Sequence, residues 1–205
     1  MSLLTDTASE ARRALGVCLL AVLVAAPVVA MAPKRPTRAE LIQPFLGDNY
    51  SQWMIGAIGF IADEEEIAAF QRLRDDAAAE AFIQEFWERR RKAGEEGNAF
   101  RELYQRRAAD ADSEFTEGHL PGRRTDRGAI FIVYGPAEDI EYEEFRDISE
   151  PDVELWRYPK KAEKGLDGRK PSRQYRFARQ DDAVRFYKPP SDEELRRRAR
   201  TRRPF

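Results

Sequence analysis

The sequence predicts an α+β fold. A helical layer at about residues 63–115 packs on a small three- or four-stranded, mostly antiparallel sheet at about residues 129–187. Three observations carry that expectation. Residues 63–115 place apolar side chains at three- and four-residue spacing behind Asp and Asn residues of the kind that cap helices. Residues 129–134 (Ala-Ile-Phe-Ile-Val-Tyr) form an apolar run closed by breakers on both sides, and its length and β-branched content fit a strand buried on both faces. Beyond it, short aromatic-bearing runs at 155–158, 174–178 and 184–187 are separated by Gly-, Lys- and Pro-containing loops.

Taken in order, residues 1–30 read as a secretory signal. Arg12 and Arg13 supply its positive start, residues 15–29 are apolar apart from Gly16 and Pro27, and Val28-Val29-Ala30 offers small residues for cleavage. The apolar run is about 15 residues, short of the ~20 that span a bilayer. Cleavage and export to the periplasm or beyond are therefore expected, with an uncleaved inner-membrane anchor as the alternative. Residues 31–45 read as a proline-punctuated linker, leaving an α+β domain at 46–188 and a basic helix or tail at 189–205.

Within the domain, residues 45–61 hold a loose apolar group in which Gly56 and Gly59 argue against a long helix, so a short strand or irregular segment is expected. Asp63 and Glu66 make a capping-box pattern for a first helix carrying Ile67, Phe70 and Leu73 inward. A second helix starts at Asp75 or Asp76, turns Ala78, Ala81, Phe82, Ile83, Phe86 and Trp87 inward, and ends near Gly94. A third runs from about Asn98 to Phe115. The 129–134 strand is fed by a turn in which Asp126 accepts backbone N–H groups and Gly128 takes a positive φ, and it is closed by Gly135-Pro136. Residues 137–152 are acidic and read as a solvated loop. The alternation around Tyr175 and Phe177 reads as a sheet with one wet face.

Composition narrows the chemistry. The one cysteine, Cys18, lies in the apolar leader, so a mature chain has no disulfide-linked partner, no thiolate metal site and no thiol nucleophile. His119 is the one histidine, which excludes multi-histidine metal sites. The acidic segment lacks the Asp-x-Asp-x-Asp-Gly pattern of a calcium loop, and no cofactor or metal is expected. Net charge is −2 but lopsided: residues 31–156 carry 16 Lys/Arg against 28 Asp/Glu, whereas residues 157–205 carry 17 against 7. The two halves are expected to attract each other.

The run Gly122-Arg123-Arg124-Thr125-Asp126-Arg127-Gly128, with the apolar segment and Gly135-Pro136 after it, resembles the GWxTD domain family of bacterial envelope proteins. Phe86-Trp87-Glu88-Arg89-Arg90 upstream and Leu155-Trp156-Arg157-Tyr158 downstream extend the resemblance over about residues 60–180. Arg123 stands where the family has its tryptophan, and Arg91 replaces an aspartate that follows the arginine pair. The resemblance implies an envelope protein with no assigned biochemical activity. Gly122, Thr125, Asp126, Arg127, Gly128, Gly135, Pro136 and Trp156 are motif residues with an expected structural role, and none is assigned to catalysis.

The function expected is that of an exported, non-catalytic interaction or structural module. Its partner would be an envelope protein or an anionic lipid or lipopolysaccharide surface, and not nucleic acid. For the anionic surface the candidate contacts are Arg196, Arg197, Arg198, Arg200, Arg202 and Arg203, whose guanidinium groups suit phosphates. Two alternatives stand beside it. One is a carboxylate-only hydrolase built on Asp126 and a Glu of the acidic segment. The other, by fold-level analogy, is an adaptor of the outer-membrane-assembly kind that uses its sheet for protein contacts. Trp87 with Arg90 also invites reading as a site for an anionic or aromatic group, against the plainer reading of core packing and ion pairing.

Overall fold

The computed structural model describes residues 36–143, 151–191, 193–194 and 196–197. The signal segment, the first part of the linker, and Arg198, Arg200, Arg202 and Arg203 lie outside the described residues.

Helices α1 (Asp48–Ser51), α2 (Ala57–Ile61), α3 (Glu64–Gln71), α4 (Asp76–Glu88), α5 (Ala99–Glu114) and α6 (Asp126–Tyr134) come first. A four-stranded antiparallel sheet follows: β1 (Asp139–Glu143), β2 (Val153–Arg157), β3 (Gln174–Gln180) and β4 (Ala183–Phe186), in that spatial order. The α+β architecture expected from the sequence is therefore present, and its sheet begins at Asp139 rather than near residue 129.

The caps explain why the helices start where they do. Asp63 accepts from the Glu66 N–H at 2.7 Å while Glu66 accepts from the Asp63 N–H at 3.0 Å, a reciprocal capping box. Asp75 and Asn98 cap α4 and α5 through the N–H groups of Ala78 and Arg101. α4 stops at Glu88, earlier than the sequence implies, and buries Ala79 rather than Ala81. Residues 45–61, read as a strand or irregular segment, instead form the two short helices α1 and α2. Within the stretch read as linker, Leu41 and Gln43 are buried. The Gln43 amide donates to the carbonyls of Phe70 and Gln71 at the end of α3.

The larger correction concerns residues 129–134. They are the body of α6, not a strand. Their burial is as expected: Ile130, Ile132 and Val133 are fully buried and Ala129 nearly so. A continuous apolar run reports burial on all sides without fixing its period. The termini decide it. Thr125 caps the helix, accepting from the Gly128 N–H at 3.0 Å, and Gly135 ends it at φ 83°, with its N–H on the Phe131 carbonyl at 2.7 Å. Arg107 donates to the carbonyls of Ile132 and Val133, placing a cation at the negative end of the helix. Gly128 is helical, not at positive φ.

One sheet face packs on the helices through aromatic rings. Trp156 of β2 lies 5.4 Å from Phe115 and 5.1 Å from Phe177 of β3, measured between ring centres, while Tyr134 stacks on Tyr175 at 5.9 Å. A second aromatic group, with Trp53 against Phe70, Phe82, Phe86 and Trp87, fills the space between the N-terminal helices. The other sheet face is not uniformly wet, because Val153, Leu155 and Ala178 are buried there. The acidic stretch read as a loop contains β1, whose Asp139, Glu141 and Glu143 pair with Arg157 and Arg176.

Candidate functional site

The motif sits where three backbones touch. Residues Gly122–Arg124 form a 3₁₀ turn pressed on α5, and a Cβ on Gly122 would collide with the Ala111 carbonyl. A Cβ on Gly128 would collide in turn with the Gly122 carbonyl, and one on Gly56 with the carbonyl of Arg123. Glycine is required at these points for close approach. Thr125, fully buried, completes the lock: its hydroxyl donates to the Gly122 carbonyl at 2.8 Å while accepting from Gly128.

Side chains of the motif carry the lock into the sheet. Asp126 does not serve its own turn. Its carboxylate accepts from the Phe186 N–H of β4 at 2.9 Å, sixty residues away. Arg127 bridges two largely buried carboxylates, Glu117 at 3.1 Å and Glu154 of β2 at 3.0 Å. Glu154 also accepts from the Trp156 indole at 2.7 Å, and Glu117 from the Val184 N–H at 3.0 Å. Gly135 and Pro136 close the far end of α6, where the Tyr158 hydroxyl donates to the Gly135 carbonyl at 2.8 Å. Most of the candidate motif residues are thus brought together, and their polar groups answer one another except for Arg127 Nε, which is buried without a hydrogen-bond partner.

The pairing of Trp87 with Arg90 resolves into core chemistry. Both Arg90 Nη atoms donate to buried Glu66, at 2.9 and 2.6 Å, and its guanidinium lies over the Phe86 ring at 3.6 Å. Arg89 adds a second cation 3.3 Å from Glu66. Among the tail arginines, Arg196 and Arg197 are helical and exposed. Ser191 and Glu194 bond reciprocally at the start of that turn.

A cleft of about 350 Å³ opens between α1, α4, α5 and the 3₁₀ turn. Tyr50, Trp53, Trp87 and Tyr104 supply its aromatic walls, and Arg101, Arg123 and Arg124 its cations; among the described residues no Asp or Glu lines it. Arg123 is already held by Asp112, through Nε at 2.7 Å and Nη2 at 2.5 Å. Arg124 donates to the Gln52 amide oxygen at 3.1 Å, and Arg101 lies 5.8 Å from the Trp87 ring centre. Neither Arg101 nor Arg124 pairs with a carboxylate among the described residues. Burial pushes the Tyr104 phenol up to about 12, so near neutral pH it remains a hydrogen-bond donor.

The model of the GWxTD domain family matches residues 44–188. The chain belongs to the GWxTD domain family. No curated protein and no solved structure matches it. Against the five letters that name the GWxTD domain, Gly122, Thr125 and Asp126 are the glycine of close approach, the helix cap and the tie to β4. Arg123 occupies the tryptophan position and faces the aromatic cleft. The cleft itself was not legible in the sequence, since Tyr50 of α1, Trp53 in the turn after it, Trp87 of α4 and Tyr104 of α5 are brought together only by the fold, and each reads singly as core.

Proposed function

We propose that this GWxTD domain protein is an exported, non-catalytic envelope component that acts by binding. The observation that carries this is that the carboxylates of the motif are already engaged. Asp126, Arg127, Glu117 and Glu154 each hold a backbone N–H or an opposite charge, which leaves no carboxylate of the motif poised for proton transfer. The alternative hydrolase would need Asp126 free to meet substrate. Export is supported by the charged and apolar pattern of residues 1–30.

Expression of the full chain in a bacterial host, followed by fractionation and mass spectrometry, tests the export half. A mature chain beginning at Met31 outside the cytoplasm is expected, and an uncleaved cytoplasmic chain would contradict it. Asp126→Asn tests the binding half. Asparagine keeps an oxygen to accept from the Phe186 N–H, so the variant should retain its fold and its cross-linking pattern in the envelope. A folded variant that loses a hydrolytic activity present in the parent would favour the hydrolase.

The adaptor reading has one observation of its own. β1 lies at the edge of the sheet, with Tyr142 73% and Ile140 44% exposed. An edge strand offers backbone groups and side chains to an added strand. A photo-reactive residue at position 142 should then cross-link to an envelope protein, and the same probe at exposed Glu85 of α4 should not.

A further inference from the structure

We infer that the cleft bounded by Trp53, Trp87 and Tyr104 binds an aromatic carboxylate: one ring held between the aromatic walls and one carboxylate held by Arg101 and Arg124. This assignment rests on the binding role proposed above and names what is bound. The volume, about 350 Å³, is at the small end of ligand sites, enough for a single ring with a short polar arm. Trp87 is buried against its neighbours, so the open ring surface comes from half-buried Tyr50, Trp53 and Tyr104, which favours another aromatic ring over an aliphatic chain. Its charge is of one sign, because three arginines line it without an acidic residue.

Two of those arginines lack a carboxylate partner within the described fold, in contrast to Arg90, Arg123 and Arg127, each held by an acidic side chain. A guanidinium left over beside aromatic walls is matched by a carboxylate, which it can hold with two parallel hydrogen bonds. Spacing separates a carboxylate from a nucleotide. Arg101 lies 5.8 Å from the Trp87 ring centre, so ring and anion must sit close together, as in an aromatic amino acid. A nucleotide puts a ribose between the two. The Tyr104 hydroxyl makes no hydrogen bond among the described residues and is an additional donor to the ligand.

The replacement at position 123 places a third arginine in the cleft, one already paired with Asp112. A tryptophan there, as the name of the family has it, would add an indole to the aromatic walls and remove one positive charge.

Isothermal titration calorimetry of the full chain with N-acetyl-L-phenylalanine tests the assignment. Saturable binding is expected, at least about tenfold weaker for the uncharged N-acetyl-L-phenylalaninamide and for the double variant Arg101→Gln/Arg124→Gln. Tyr104→Phe keeps the ring and removes a hydroxyl unused by the fold, so it should weaken binding without lowering the melting temperature. Arg157→Gln, on the sheet, should bind as the parent does. A peptide ending in a free phenylalanine carboxylate separates two sources: tighter binding than the single residue assigns a chain terminus, equal binding a free metabolite. No binding of either, equal binding of the amide, or adenosine monophosphate binding as tightly would overturn the assignment. If the cleft stays empty while the chain is exported and cross-links normally, only this inference falls. Chemical conversion of the bound N-acetyl-L-phenylalanine would instead overturn the non-catalytic role.

Discussion

At the scale of single residues, Thr125 and Arg127 bear the largest consequences. Thr125→Ala removes a buried cap and the donor to the Gly122 carbonyl, and should cost about 1–2 kcal/mol in urea unfolding, while Thr125→Ser should recover most of it. Arg127→Met removes the cation between Glu117 and Glu154 and leaves two largely buried carboxylates facing each other. A loss of about 3 kcal/mol is expected, near the low end for a broken buried pair because Arg127 keeps some solvent access. An unchanged unfolding midpoint in either variant would remove that residue from the lock. Sequence makes some of this legible. Asp63 is read correctly as a cap because it precedes a helical pattern directly, and of the two candidates Asp75 and Asp76 the structure selects Asp75. Thr125 is missed because Asp126 beside it looks the better acceptor, whereas its real partner, Phe186, lies sixty residues on.

At the scale of elements, backbone contact decides stability. Gly122→Ala forces a methyl group against the Ala111 carbonyl, which α5 cannot move without disturbing its own ladder. A loss of roughly 3 kcal/mol or outright failure to fold is expected, against under 1 kcal/mol for Ala93→Gly in an exposed turn. The element most misread is α6. Ile130-Phe131-Ile132-Val133 has β-branched residues that favour strands locally, yet the Thr cap and the glycine terminator impose a helix. β2, β3 and β4 were legible because their aromatic residues alternate between loops rich in Gly, Lys or Pro. β1 was not, because its Ile140 and Tyr142 stay exposed and its acidic residues resemble a solvated loop.

At the scale of the whole molecule, the opposed charges of the two halves meet across the sheet, where Arg157 pairs with Asp139 and Glu141, and Arg176 with Glu143. Three tyrosines tie stability to pH. Burial holds the phenols of Tyr104, Tyr134 and Tyr158 above the ordinary tyrosine range, aided for Tyr134 by its hydrogen bond to Asp167. A raised folded-state value means the unfolded chain loses its proton first. Stability is therefore intact below pH ~10 and falls as pH rises above it. Urea midpoints should drop between pH ~10 and ~12, with Tyr104→Phe and Tyr158→Phe blunting the drop; a flat profile would contradict the burial. The central claim is that a buried helix, α6, locks the helical layer to the sheet through the motif. Backbone carbon chemical shifts and amide exchange over residues 126–134 test it most directly. Helical shifts with among the slowest exchange in the chain are predicted. Extended-strand shifts, or exchange as fast as that of exposed loops, would contradict it.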